Sequence, residues 1–236
     1  MISRWLGGSW ERRRRLAGSP LFDVYRRLLA PWDLHRWRQG ARSHPPARFK
    51  QRLVGAWARR FGTPLLVETG TFFGDMLEAH RKTFRRLYSI ELDPWLYRRA
   101  RRRFRRRDNI ELHHGDSAEI LPTLLRRLRG PCLFWLDAHA MAGTARGVKG
   151  TAIREELTAI LEADFPDSVV LIDDARLFDG GGDYPTLRWV GDQVRAKRPT
   201  WRFEVEDDVI RCYPSAGAED QKASSSTPRP SARRLT

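Results

Sequence analysis

Five short, β-prone apolar runs separated by helical patterns constrain this 236-residue chain more than any other feature. They occupy residues 65–68, 87–91, 110–113, 132–137 and 169–173. Between them, residues 117–129 place Leu121, Leu124, Leu125 and Leu128 at i, i+3, i+4 and i+7, one stripe on one helix face. Residues 151–163 do the same with Ile153, Leu157, Ile160 and Leu161. Strands alternating with helices of this length imply βαβ units, hence a parallel sheet with helices on both faces. Residues 201–205 and 209–213 are two further strand-like runs, separated only by Glu206, Asp207 and Asp208. That gap is too short for a crossover helix, so an antiparallel hairpin at one end of the sheet is expected. The expected class is α/β: a doubly wound, mostly parallel sheet closed by a C-terminal hairpin.

The flanks read differently. Residues 1–60 hold five of the nine tryptophans and amphipathic pieces such as residues 21–29, with Pro31 and Pro45-Pro46 expected to break them into short helices. They form either a basic helical cap on a main domain spanning 61–214 or a helix resting on a membrane surface. Residues 215–236 lack apolar periodicity and are expected to be disordered. No stretch approaches the roughly 20 apolar residues of a membrane span, and no apolar run follows the basic start as a secretory signal would require. Two cysteines make neither a disulfide framework nor a zinc site, so a reducing, cytoplasmic setting is expected. The net charge of +15 is unevenly spread: residues 1–60 carry 15 Lys and Arg against 3 acids, whereas residues 108–214 carry 13 against 19. A nucleic acid or anionic surface is therefore permitted as a partner, not required.

In an open parallel sheet, ligands bind outside the carboxyl ends of the strands. The first strand runs into Glu68-Thr69-Gly70-Thr71-Phe72-Phe73-Gly74-Asp75, whose glycines allow a sharp turn and close ligand approach, with Asp75 an expected helix cap. The second ends in Glu91, 21 residues after Gly70, the spacing at which an acid binds ribose hydroxyls in nucleotide-binding units. The third ends in Gly115-Asp116-Ser117, the fourth in Asp137-Ala138-His139, and the fifth in Asp173-Asp174. Each acid alone fits a cap or turn, but crowded carboxylates repel and together call for a cation or a hydrogen-bonding ligand.

The series Glu68-Thr69-Gly70 to Gly74, Ser89-Ile90-Glu91, Gly115-Asp116-Ser117, Trp135-Leu136-Asp137-Ala138-His139 and Ile172-Asp173-Asp174-Ala175-Arg176 resembles a class I S-adenosylmethionine-dependent methyltransferase over residues 64–214. The similarity is strongest to bacterial methyltransferase-like proteins and looser to metal-dependent sugar and small-molecule O-methyltransferases. It implies a Rossmann-like sheet, with Glu68, Thr69, Gly70, Thr71 and Gly74 at the methionine end of the cofactor. It further implies Glu91 at the ribose, Asp116 with Ser117 at the adenine, and Asp137 among the cofactor-binding residues. One departure is Phe72, where the loop usually has a middle glycine. The Gly-x-Gly-x-x-Gly of a dinucleotide-binding domain is missing.

Asp137, Asp173 and Asp174 end adjacent strands and could share a hard cation such as Mg²⁺ that lowers an acceptor hydroxyl's pKa. His139 is a candidate general base, an extra ligand or a plain hydrogen-bonding residue. Arg176 and Tyr184 are candidate acceptor contacts. Residues 141–151 are either a glycine-hinged acceptor lid or a surface loop. Asp137-Ala138-His139-Ala140 is not the Asn/Asp-Pro-Pro-aromatic turn of base N-methylases. In residues 98–107, Ala100 and Phe104 continue a stripe from Leu96, leaving the arginines as a solvated face or an anion platform. The leading expectation is cation-assisted O-methylation of a small-molecule or sugar-like acceptor. The alternatives are an RNA-directed methyltransferase and a catalytically inactive cofactor-binding interaction module.

Overall fold

The computed structural model describes residues 20–40, 44–137, 151–163, 165 and 167–215. The strands are β1 (Leu65–Thr69), β2 (Arg86–Glu91), β3 (Ile110–His114), β4 (Cys132–Leu136), β5 (Val169–Ile172), β6 (Trp201–Glu206) and β7 (Val209–Pro214). They form a seven-stranded sheet in the order β3-β2-β1-β4-β5-β7-β6. The first five are parallel, and β7 runs antiparallel between β5 and β6. Strand order reverses between β1 and β4, which opens a crevice at their carboxyl ends. The closing hairpin turns on Asp207 (φ 52°) and Asp208 (φ 60°). Two left-handed residues are the tight connection that matches strand twist, and aspartate is among the side chains that tolerate it.

The helices are α1 (Pro20–Arg38), α2 (Ala47–Phe61), α3 (Asp75–His80), α4 (Pro94–Phe104), α5 (Ser117–Arg127), α6 (Ile153–Glu162) and α7 (Leu187–Lys197), with a 3₁₀ turn at Ala175–Leu177. The sheet's two faces sort them. Leu65, Val67, Phe134, Leu136, Val170 and Ile172 pack with Leu121, Leu124 and Leu125 of α5, Leu157 and Ile160 of α6, and Val190 and Val194 of α7. Leu66, Leu133, Trp135 and Leu171 pack with Val54, Trp57 and Ala58 of α2, Met76 and Leu77 of α3, and Ala100 and Phe104 of α4. Both faces are covered, which is why β1, β4 and β5 read as unbroken apolar runs instead of alternating ones. Helix α2 presents its buried stripe at i, i+3 and i+4 and stops at Gly62 in the left-handed region (φ 60°).

Two local expectations are corrected. Pro31 does not break its segment: α1 continues through it for 19 residues. A proline deletes one helical hydrogen bond and crowds the preceding turn, which bends a helix without always ending it. Asp75 is not the cap of α3; Gly74 holds that position at φ 77°, and Asp75 is the first helical residue. Both cysteines are free and buried, and burial pushes each thiol up to about 12. Among the described residues, no helix is long and apolar enough to cross a membrane. Residues 1–19, 138–150 and 216–236, which include the start of the expected cap, the candidate base, most of the candidate lid and the tail, lie outside the described residues.

Candidate functional site

The carboxyl ends of β1 and β2 carry a connected polar assembly. In the strand register Glu68 lies opposite Ser89. The Ser89 hydroxyl donates to Glu68 Oε2 at 2.7 Å, and Thr71 Oγ1 meets Ser89 Oγ at 2.6 Å. Burial pushes the Glu68 carboxyl well above its usual range, and the Ser89 bond opposes that. The β1–α3 loop begins at Gly70 (φ 83°), closes with Gly74 N–H donating to the Thr71 carbonyl (2.8 Å), and ends at Gly74. A Cβ at Gly74 would lie 2.6 Å from the Phe104 ring, so close packing as well as a positive φ requires glycine there.

Phe72 answers the departure in this loop. It adopts φ 50°, a left-handed conformation that glycine takes without strain. Its N–H donates to Glu91 Oε2 at 2.7 Å, while Asp93 N–H donates to Glu91 Oε1 at 2.9 Å. Glu91 therefore joins the loop to the end of β2. Leu92 N–H also bonds this carboxyl, and since a carboxylate has about four lone-pair sites, Glu91 retains acceptor capacity for a ligand hydroxyl. Burial raises the Glu91 carboxyl to about 7. At the end of β3, Asp116 caps α5, its Oδ1 accepting from Ala118 N–H at 2.9 Å, and Ser117 is buried beside it.

The second group lies one crevice wall away. Asp137 N–H donates to the Thr69 carbonyl and Asp173 N–H to the Leu136 carbonyl, each extending a parallel strand pair by one residue. This register places Asp137, Asp173 and Asp174 side by side, with one ligand oxygen of each within 4.8 Å of the others. Asp174 takes φ 57°, and its N–H donates to Asp173 Oδ1 at 2.8 Å. Burial, then Asp137, push the Asp173 carboxyl upward, and Lys50 opposes them. The donor set, three closely grouped carboxylates, fits a hard divalent cation.

Several participants escape sequence reasoning. Lys50, in the first turn of α2, sets its ammonium on Asp173 Oδ2 and 3.6 Å from Asp174 Oδ1. Burial would lower its pKa, but Asp173, Asp137 and Asp174 outweigh it and hold it raised. Its only sequence signal is its type: it is the first of five lysines in a chain with 39 arginines. Arg99 and Arg103 of α4 both donate to the Phe73 carbonyl, at 2.8 and 2.6 Å, and Arg103 lies 3.2 Å from Asp75. Two arginines of the run thus clamp the glycine loop, while Leu96, Ala100 and Phe104 form the expected buried stripe. Glu156 of α6 is 1% exposed beside Ser117 and Thr69, and burial raises it to about 7.

Of the candidate acceptor contacts, Tyr184 lies against Phe178 near the aspartates; burial, then Asp174, raise its hydroxyl to about 12. Arg176 binds Asp174 at 2.8 Å and also pairs with Asp208 of the hairpin turn. It links Asp174 to the hairpin turn.

No protein-family model and no curated protein matches the chain. Solved structures do. An O-methyltransferase from Bacillus cereus in complex with S-adenosylhomocysteine is 15% identical, with a TM-score of 0.53 over 76% of this chain and 87% of that one. The O-methyltransferase TomG from Streptomyces achromogenes, in complex with S-adenosylmethionine, is 21% identical, with a TM-score of 0.51 over 79% and 89%. The Podospora anserina methyltransferase PaMTH1, bound to S-adenosylhomocysteine, is 19% identical, with a TM-score of 0.50 over 72% and 80%. At these identities the likeness is one of fold, and the fold is the Rossmann-like methyltransferase fold.

Proposed function

We propose that this chain is an S-adenosylmethionine-dependent methyltransferase that methylates a hydroxyl of a small or sugar-like acceptor. The observation that carries the reading is the placement of two polar groups on one sheet edge, on either side of the β1–β4 switch point. The Glu91–Phe72–Gly74 assembly suits a nucleoside with a charged tail, and the Asp137–Asp173–Asp174 cluster suits an oxygen acceptor.

On this reading Glu91 binds the ribose hydroxyls and the Gly70–Gly74 turn lets backbone approach the methionine end. Asp116 and Ser117 line the adenine side. Asp137, Asp173 and Asp174 hold a divalent cation such as Mg²⁺, which polarises the acceptor hydroxyl when bound. Tyr184, near the three aspartates, would contact the acceptor, and Arg176 keeps Asp174 in position. The proton-accepting role falls to His139, from its place two residues after Asp137. Methyl transfer then depends on holding acceptor oxygen and sulfonium in line.

A screen of hydroxylated acceptors with methyl-labelled cofactor tests the activity. Asp173→Ala is expected to lower turnover about 100-fold or more, in keeping with several kcal/mol of Lewis-acid assistance, while sparing cofactor affinity. Undiminished turnover in excess chelator would refute the cation. Arg98, Arg101, Arg102, Arg105, Arg106 and Arg107 of the α4 region are exposed, which supports a second reading with RNA as acceptor. Salt-sensitive retention on RNA would favour it.

A further inference from the structure

Lys50, on helix α2 and outside the strand-end loops, reaches into the three-aspartate cluster. Its ammonium sits on Asp173 Oδ2 and 3.6 Å from Asp174 Oδ1, and the Asp173 side chain is wholly buried. Helix α2 holds its base firmly. Gln51 Nε2 donates to the Asp75 carbonyl at 3.2 Å, the Gln51 carbonyl meets His80 Nε2 at 2.9 Å, and Val54, Trp57 and Ala58 are buried against the sheet. The Lys50 side chain itself remains 15% exposed, so it has a path to solvent that does not require α2 to move.

We infer that Lys50 is the resident cation of the aspartate cluster, and that a divalent ion enters only by displacing its ammonium. The inference rests on the cation-site reading above and deepens it. Three carboxylates so close repel one another, and Arg176 meets only Asp174, so Lys50 is the cation that faces the buried Asp173 and favours its charged form. The ammonium already takes up acceptor capacity on Asp173 Oδ2. A magnesium-sized ion needs carboxylate oxygens at about 2.0–2.1 Å with near-octahedral geometry. Two cations sharing one buried oxygen would repel strongly, so the lysine and the metal exclude each other. Lysine suits such an exchange, because a compact ammonium on a flexible stem can leave. The arginine that this chain uses almost everywhere else is a rigid planar fork. The displaced Lys50 would then stand at the rim of the acceptor site.

The test uses the full chain and Mn²⁺ alone, followed by the resonance of the free ion. Lys50→Met is expected to bind Mn²⁺ more tightly than the native chain, on the order of tenfold or more, as for two ligands with strong negative coupling. Removing a nearby positive charge would help any cation, so a second measurement on the unaltered chain separates displacement from simple repulsion. Acetylation of Lys50, read by mass spectrometry, is expected to rise severalfold when Mn²⁺ is added. Saturable Mn²⁺ binding with unchanged Lys50 acetylation, or with equal affinity in Lys50→Met, overturns the displacement and leaves the cation site standing. No saturable Mn²⁺ binding by either chain overturns both.

Discussion

Phe72 and Glu156 occupy positions that a sequence optimised for stability alone would fill otherwise. Phe72 sits at φ 50°, where a side chain costs about 1–3 kcal/mol, yet its ring packs against Phe73 at 4.1 Å. Replacing it therefore inverts the usual order of small residues: Phe72→Gly is expected to be more stable than Phe72→Ala by about 1 kcal/mol in urea unfolding. Alanine equal to or better than glycine would show that the left-handed loop conformation is not maintained in solution. Glu156 carries a carboxyl raised by burial to about 7 from about 4.5 in the unfolded chain. Between those values the folded state binds more protons than the unfolded one, so stability falls as pH rises through the window, by up to about 3 kcal/mol. Glu156→Gln removes this loss. Its melting temperature is expected to exceed that of the native chain at pH 8 and to match it near pH 4; the same difference at both pH values would contradict the assignment.

At the scale of elements, the glycine loop is held between α3 and α4. The Phe104 ring fills the space over Gly74, and Arg99 and Arg103 hold the Phe73 carbonyl. Gly74→Ala adds a Cβ 2.6 Å from that ring at φ 77°, and should cost about 1–3 kcal/mol together with a measurable loss of cofactor affinity. An alanine variant of native stability would mean that Phe104 yields freely. The strands and their terminal acids are legible in the sequence because parallel strands buried on both faces leave unbroken apolar runs. The convergence of Asp137 with Asp173 and Asp174 is legible for a related reason: adjacent parallel strands end in register. What stays hidden depends on contacts between elements distant in sequence. Nothing local in residues 47–61 says that Lys50 meets Asp173, 123 residues away, or that Arg99 and Arg103 differ from the arginines around them. Pro31 misleads because proline's cost is local, whereas continuation of α1 is decided over 19 residues.

Across the whole molecule, charge and chemistry divide. The positive charge lies in the first half, and its arginines partly serve structure: Arg60 covers Trp57, Phe61 and Tyr213, and Arg103 secures the loop. Acids gather at the carboxyl edge of the sheet, Glu91 at the end of β2 and the three aspartates at the ends of β4 and β5. On the proposed function, the strand-end crevice between β1 and β4 binds S-adenosylmethionine, with Glu91 on the ribose. Calorimetric titration with S-adenosylhomocysteine tests it most directly, using the native chain and Glu91→Ala. We expect saturable one-to-one binding by the native chain and at least about tenfold weaker binding by the variant, the value of a lost charge-assisted hydrogen bond. No binding at millimolar ligand, or equal affinity in the two chains, would contradict the account.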